Sequence, residues 1–300
     1  MADRRRINGP VGVTSPPVYA NHTPGKAQKD TVQQRPDNTL RQIFLKTGIT
    51  PSASGSAYLE VTGPSTNGPS GLKLNCTVHG PRSLAKSTPF TPYTTLTTHV
   101  KYAPFATRQR RGYLRDSSEK DLGVHLETAL RGVIIADRWP KSGVDIIVTV
   151  LEGDQPREVF KGTPDEGIDA MNVLSGCITV ASAAIADAGI DCVDMVAGGV
   201  AALVASEEDK GEPRFVLDPA PSEHDKILAG CCVAYLPSRD EITNLWYKGQ
   251  TSGNDTLLYT QLVEKAVQAS RGANKVLVDT LKEGVTEAGK QSKGSMEVDR

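Results

Sequence analysis

Apolar and polar residues alternate regularly through GLKLNCTVHG, residues 71–80. The apolar positions are Leu72, Leu74, Cys76 and Val78. Because side chains in a strand point alternately to opposite faces, this period of two predicts a half-buried β-strand. The preceding segment SGSAYLEV (54–61) is predicted to be its hairpin partner, since the turn-rich segment TGPSTNGPSG joins the two.

Further elements are predicted from the same kind of pattern. The run VDIIVTVL (144–151) is continuously apolar, which is typical of a central strand. Other strands are predicted at 94–105, 193–204, 215–217, 226–236 and 242–247. Apolar residues recur every three or four positions at 119–136 and 255–281, which predicts two amphipathic helices. The segment DAMNVLSGCITVASAAIADAG (169–189) is predicted to be a buried helix entered from a Gly- and Asp-rich loop.

Strands and helices alternate with βαβ-like crossovers, which predicts an α+β fold: a sandwich of mixed sheets packed with helices. Apolar content is continuous through the middle of the chain, so one compact domain is expected at 41–284. Residues 1–40 contain five prolines and one aromatic residue, which predicts a flexible tail. Residues 285–300 have little apolar content and are predicted to be a second flexible tail. No apolar run is expected to span a membrane.

The overall charge restricts the functions that the chain can have. It has 34 Lys and Arg residues against 35 Asp and Glu, a net charge of −1. A free-standing nucleic-acid-binding protein usually has a basic excess, so any contact with RNA must depend on a local patch. The five cysteines form no CxxC pair and are expected to be reduced core residues. With only five histidines as well, no metal or other cofactor is predicted.

One segment concentrates positive charge: TRQRRGYLRD, residues 107–116, which we call the basic loop. Its arginines are Arg108, Arg110, Arg111 and Arg115, and Lys101 precedes them. Guanidinium groups can bind phosphates through two hydrogen bonds, and Tyr113 could stack on a base. The alternative is an ordinary solvated loop whose arginines pair with neighbouring acidic residues such as Asp116 and Glu119. The sequence leaves both interpretations open.

Several motifs, in order along the chain, resemble one known family. They are SGSAYLEV…KLNCTVHGPR, VKYAPFATRQRRG, LETALRGVI, AIADAGI and FVLDPAPSE…AGCCVAYLP. Over roughly residues 40–280 the chain resembles the exoribonuclease PH (RNase PH) family. The resemblance is to the ring subunits of the eukaryotic RNA exosome, and in the late strands to one non-catalytic branch of them. It implies an RNase PH-like fold.

Active members of this family cleave RNA from its 3′ end with inorganic phosphate, which brings two anions together and requires cations. The family's phosphate-binding run, Gly-Gly-Thr-Arg-Thr, corresponds here to five residues expected at the start of the predicted helix. These residues are Met171, Asn172, Val173, Leu174 and Ser175. Leu174 stands in the arginine's position, and no Lys, Arg or His occurs from residue 162 to residue 209. The resemblance therefore implies a degenerate phosphate site.

Few of the carboxylates that would hold a metal remain. Asp218 remains, but the strand at 226–239 contains no Asp or Glu. Glu223 and Asp225 precede that strand and are open to two interpretations, metal ligands or a solvated turn. We predict a catalytically inactive structural subunit. The alternatives are an active phosphate-dependent 3′→5′ exoribonuclease and a free-standing RNA-binding protein.

The resemblance also implies partners. These are other RNase PH-like ring subunits in a hetero-hexamer, RNA-binding cap subunits, an associated 3′→5′ nuclease, and RNA threaded through the central channel. The basic loop is expected to face that channel, with Arg82 and Lys86 as secondary candidates for RNA contact. The expected location is the nucleus and nucleolus, and also the cytoplasm, with no membrane association.

Overall fold

The computed structural model describes residues 35–63, 71–107, 110–153, 166–205, 213–220, 223–224, 227–249 and 256–298. Five strands form the first sheet, in the order β1-β2-β3-β5-β4. They are β1 (Ile43–Thr47), β2 (Gly55–Val61), β3 (Lys73–Ser83), β4 (Thr95–Tyr102) and β5 (Ser142–Glu152). All neighbours are antiparallel except β4 and β5, which are parallel. The alternation predicted at 71–80 is confirmed, because Leu72, Leu74, Cys76 and Val78 are all buried.

Four antiparallel strands form the second sheet, in the order β7-β6-β8-β9. They are β6 (Ala197–Val204), β7 (Arg214–Leu217), β8 (Ile227–Leu236) and β9 (Glu241–Gly249). Every residue of β6 is buried. Strand β6 begins four residues later than the strand predicted at 193–204. The other strands of this half lie close to their predicted positions. Strand β1 was not predicted from the sequence.

Three α-helices complete the domain: α1 (Ser117–Arg131), α2 (Glu166–Asp187) and α3 (Thr256–Val298). Helix α2 lies between the two sheets. A Cβ added to Gly176 of α2 would lie 2.7 Å from a methyl group of Leu74 in the first sheet. A Cβ added to Gly198 of β6 would lie 2.4 Å from the backbone oxygen of Ser175. Glycines at these positions let the helix backbone approach both sheets closely.

Helix α3 covers the outer side of the second sheet. A Cβ added to Gly199 would lie 2.3 Å from the carbonyl oxygen of Ala266 in α3. The adjacent glycines of β6 therefore admit α2 on one face of the strand and α3 on the other. The layers follow the order first sheet, α2, second sheet, α3, which confirms the predicted α+β sandwich of mixed sheets and helices.

Three expectations about the chain need correction or remain open. Contrary to the expectation, the segment Gly167–Asp187 of α2 is long and apolar enough to cross a membrane. In this structure, however, 83% of its 18-residue apolar window is buried inside the protein. Residues 35–40 belong to the domain rather than to the tail, because Leu217 donates its N–H to the carbonyl of Asp37 at 2.8 Å. Residues 1–34 lie outside the described part. Helix α3 continues to Val298, so the second tail remains a prediction.

Candidate functional site

The five residues assigned to the degenerate phosphate site lie inside helix α2 and not at its start. Helix α2 begins at Glu166, so the free backbone N–H groups belong to the turn that starts there. Residues 171–175 lie more than a turn further along, where each N–H is used inside the helix. Met171, Asn172, Val173 and Leu174 are buried, and Ser175 is half-buried. The expectation that these five residues open the helix is therefore wrong.

A cation does reach the first turn of α2, from a different element. A Cβ added to Gly167 would lie 2.6 Å from Nζ of Lys248, which is an exposed residue of β9. The sequence alone could not reveal this approach, because the two residues are 81 positions apart by their numbers (248 − 167). A single exposed ammonium group is not the convergent set of cations that a phosphate nucleophile requires.

Asp218, the retained family carboxylate, is held by two arginines. Its Oδ1 accepts from Nη2 of Arg41 at 2.6 Å, and its Oδ2 accepts from Nε of the same guanidinium at 2.9 Å. The backbone N–H of Arg41 adds a third bond at 3.1 Å, and Nη1 of Arg35 lies 3.6 Å away. Both carboxylate oxygens are therefore occupied by cationic donors.

The charge state of Asp218 follows from these contacts. Burial raises its pKa, but the charge and hydrogen bonds of Arg41 and the charge of Arg35 outweigh burial and lower the pKa to about 2. The carboxylate is thus ionised and fully engaged in a bidentate pair, which is a structural arrangement. A metal ion at Asp218 would have to displace a guanidinium.

Glu223, the other candidate metal ligand that the structure describes, is engaged by an arginine. Glu223 accepts a hydrogen bond from Nη2 of Arg35 at 3.1 Å, so it extends the same ion-pair network. Asp225 lies outside the described residues. Within the described part of the chain, no group of three or more His, Cys, Asp or Glu residues is arranged to hold a metal ion. Glu223 therefore belongs to the structural pairing.

Lys101 supports the basic loop from within. Its ammonium donates to the carbonyl oxygens of Gly112 at 3.0 Å and Leu114 at 2.9 Å. It also donates to Oε2 of Glu119 at 3.1 Å. With three acceptors inside the protein, Lys101 holds the loop, and its contact with RNA remains a prediction.

The arginines of the basic loop have different environments. Arg110 is exposed, whereas the guanidinium of Arg111 lies over the ring of Tyr102, 4.3 Å from its centroid. Arg115 is exposed and contacts Nδ1 of His99 at 2.7 Å. Arg108 lies outside the described residues. Arg110 and Arg115 therefore present their charge to solvent, while Arg111 packs against the protein.

The secondary candidates for RNA contact, Arg82 and Lys86, lie at or just after the end of β3. Strand β5 separates β3 from β4, which leads into the basic loop. Arg82 is near the end of β3, and its guanidinium contacts Asp145 of β5. Asp145 pairs in register with Thr97 of β4, two residues before His99, so Arg82 and Arg115 share the face of the first sheet turned away from α2. Lys86 is exposed in the turn that follows β3.

Comparison with known proteins decides the family. The model of domain 1 of the 3′ exoribonuclease family, RNase PH, matches residues 39–191. An exosome complex component, MTR3 of Chaetomium thermophilum, is 66% identical over 95% of this chain and 100% of its own length. Human exosome complex component MTR3 is 26% identical over 93% of this chain and 94% of its own.

The chain belongs to the RNase PH family. The crystal structure of rice Rrp46 has the same fold, with a TM-score of 0.63 at 17% identity over 83% of this chain and 98% of that one. The predicted family and fold are thus confirmed. The resemblance of the late strands to a single branch agrees with the shared name of the fungal and human relatives.

Sequence reasoning missed the acidic residue that organises the basic loop of this RNase PH chain. Glu119 was considered only as an ion-pair partner of the arginines, yet it is buried and accepts the backbone N–H of Asp116 at 3.0 Å. The signal was present, because Asp-x-x-Glu at a helix start is the pattern of a capping box. Arg41 carries no such local signal, since its partner Asp218 is distant in sequence.

Proposed function

We propose that this chain is a catalytically silent structural subunit of the RNA exosome core. In this proposal it packs side by side with other RNase PH-like subunits in a hetero-hexameric ring. The names of its relatives support the assignment, because fungal and human exosome components MTR3 match it over nine-tenths or more of both chains. Apolar strand and helix faces pack against one another in the core of the subunit. In the proposed ring, contacts with neighbouring subunits would bury further surface.

The observation that carries catalytic silence is the occupation of Asp218 by Arg41. Phosphorolysis needs an attacking phosphate held by cations and a metal held by carboxylates. Here both oxygens of Asp218 accept from one guanidinium, at 2.6 and 2.9 Å. Four of the five residues in the positions of the family's phosphate-binding run are buried and Ser175 is half-buried, and Leu174 stands in place of the arginine.

Copurification tests the assignment. A tagged full-length chain, isolated from its native cells, should bring down other RNase PH-like subunits in equal amounts. The same preparation should also contain an RNA-binding cap protein and a separate 3′→5′ nuclease, which are further partners in this proposal. Recovery of the chain as a monomer or as a hexamer of itself would overturn the ring assignment.

The second candidate is an active phosphate-dependent 3′→5′ exoribonuclease, which the description of the matching family model favours. The purified chain, incubated with an oligoribonucleotide and inorganic phosphate, is expected to release no nucleoside diphosphate. Phosphate-dependent release that scales with the amount of chain and survives stringent purification would establish the enzyme instead. A free-standing RNA-binding protein would bind RNA tightly as an isolated chain at physiological salt.

The proposal includes contact with RNA and a location in the cell. The basic loop, with Arg82 and Lys86, would face RNA threaded through the ring. Substituting Arg110 and Arg115 with Glu should slow RNA degradation by the assembled complex, and unchanged degradation would remove the loop from the RNA path. A fluorescently tagged chain is expected in the nucleus and nucleolus and also in the cytoplasm.

A further inference from the structure

A buried carboxylate lies beneath the basic loop. Glu119, in the first turn of α1, is 1% exposed. Its Oε1 accepts the backbone N–H of Tyr102 at 3.0 Å. Its Oε2 accepts the N–H of Asp116 at 3.0 Å and the ammonium of Lys101 at 3.1 Å. One side chain therefore joins the end of β4, the start of α1 and the cation that holds the loop.

The connection continues from Glu119 into the loop itself. A buried carboxylate is stable only when it is paired and hydrogen-bonded, so Glu119 fixes the position of the Lys101 ammonium. Lys101 in turn binds the carbonyl oxygens of Gly112 and Leu114, on either side of Tyr113, at 3.0 and 2.9 Å. Glu119 thus acts on the backbone around Tyr113 through Lys101.

Arg111 braces the same segment from the other direction. Its guanidinium stacks on the Tyr102 ring and lies 3.6 Å from a carboxylate oxygen of Asp116. With these contacts satisfied, the outward side chains of the described loop include Arg110, Arg115, Tyr113 at 86% exposed and Leu114 at 68% exposed. An exposed aromatic ring three residues from an exposed guanidinium is suited to stacking on a base while the guanidinium binds a nearby phosphate.

We propose that Glu119, Lys101 and Arg111 are positioning residues for RNA contact, and that Arg110 and Tyr113 make the contact. Arg110 would bind a backbone phosphate, and Tyr113 would stack on an unpaired base. This inference rests on the proposed function, because it assigns separate roles to the residues of the loop that faces RNA. It divides the cationic residues of one short segment into those that bind and those that support.

Removing the charge of Glu119 should change RNA binding in the direction opposite to the one that net charge predicts. Glu119→Gln removes a negative charge beside the basic loop, so a simple charge effect would tighten RNA binding. Loss of positioning would weaken it, because Gln keeps only one acceptor oxygen. Its NH2 group would face either the N–H of Tyr102 or the N–H of Asp116 and the Lys101 ammonium, and it cannot accept a hydrogen bond from these donors. The matched control is Asp121→Asn, which removes an exposed charge from the same helix.

The experiment measures binding of a single-stranded oligoribonucleotide by the full complex reassembled with each variant. We expect Glu119→Gln to weaken binding about five-fold or more, the lower end of the effect of losing one stacked base, while Asp121→Asn leaves it unchanged or slightly tighter. In a Tyr113→Ala background, Glu119→Gln should have little further effect, since positioning acts through Tyr113. Equal or tighter binding by Glu119→Gln, or full additivity with Tyr113→Ala, would overturn the inference.

A second variant decides the matter if Glu119→Gln does not enter the complex. Arg111→Gln changes a half-buried loop residue, so folding is less at risk. If Arg111 supports the loop, its effect will disappear in the Tyr113→Ala background, whereas an additive effect would make it a direct RNA contact and overturn its role. Failure of the proposed function is distinguishable, because then the wild-type chain itself would enter no complex with RNase PH-like subunits.

Discussion

The guanidinium of Arg41 and the carboxylate of Asp218 form a two-point pair, at 2.6 and 2.9 Å, across 177 residues of sequence. Arg41 lies two residues before β1 of the first sheet, and Asp218 directly follows β7 of the second. The pair therefore fastens the segment before β1 to the second sheet. Neither side chain has more than a fifth of its surface in contact with water.

Removing one member of this pair should destabilise the protein strongly. Asp218→Asn removes the carboxylate charge that faces the buried Arg41 guanidinium, and loss of one partner of a buried pair typically costs about 3–5 kcal/mol. Denaturant unfolding of the full chain will measure the change in the free energy of unfolding. Asp121→Asn, at an exposed site of α1, is the control and should change it by less than about 0.5 kcal/mol. Equal effects of the two variants would contradict the assignment.

The same pair predicts how stability depends on pH. The pKa of Asp218 is lowered to about 2 from its ordinary value of 3.8, so the unfolded chain takes up this proton first as the pH falls. The stabilisation from Asp218 is therefore present above about pH 4 and is lost as the pH falls through about 2. We expect the difference in unfolding free energy between wild type and Asp218→Asn to shrink over that range. A difference independent of pH would show that the carboxylate charge is not responsible.

The glycine pair of β6 predicts a packing defect. Gly198→Ala would place a methyl group 2.4 Å from the backbone oxygen of Ser175, and neither strand nor helix can move away freely. Overpacking of this kind costs about 1–3 kcal/mol or more. Thermal unfolding should therefore occur at a clearly lower temperature. Gly112→Ala is the matched control, because an added Cβ there meets nothing within 4 Å.

Cysteine reactivity offers a test of burial. Burial raises the pKa of every thiol, to about 12 for Cys177 and about 11 for the half-buried Cys192. The thiolate is the reactive form, so alkylation of the native protein at pH 8 should be slow and confined to Cys192. Mass spectrometry after iodoacetamide treatment will identify the labelled sites. Unfolding should expose all five, and early labelling of Cys76 or Cys232 would contradict the predicted core.

The sequence predicted those features that local patterns encode. Strict alternation from Leu72 to Val78 identified β3, and its pairing with β2 followed from the turn between them. Strand β1 was missed because its apolar residues do not alternate cleanly, and Phe44 is 56% exposed. The start of α2 was placed too late, since a helix boundary depends on cap geometry more than on composition.

The contacts of the candidate site were harder to predict from the sequence, for a physical reason. The pairing of Arg41 with Asp218 and the approach of Lys248 to Gly167 are created by the fold, so nothing near either residue in the chain reveals them. Glu119 is the exception, because its capping role is encoded three residues from Asp116. Sequence could thus locate the basic loop, but only coordinates separate the arginine that packs from those that face solvent.

The adjacent glycines of β6 have a geometric consequence for assembly. Where α2, β6 and α3 cross, backbone touches backbone, so the breadth of the domain there cannot vary with the size of any side chain. If the chain is one wedge of a closed ring, as proposed, a small error in its width would accumulate around the circle. With the thickness of the subunit fixed by these backbone contacts, its surface residues can be substituted during evolution without changing the angle between neighbouring subunits.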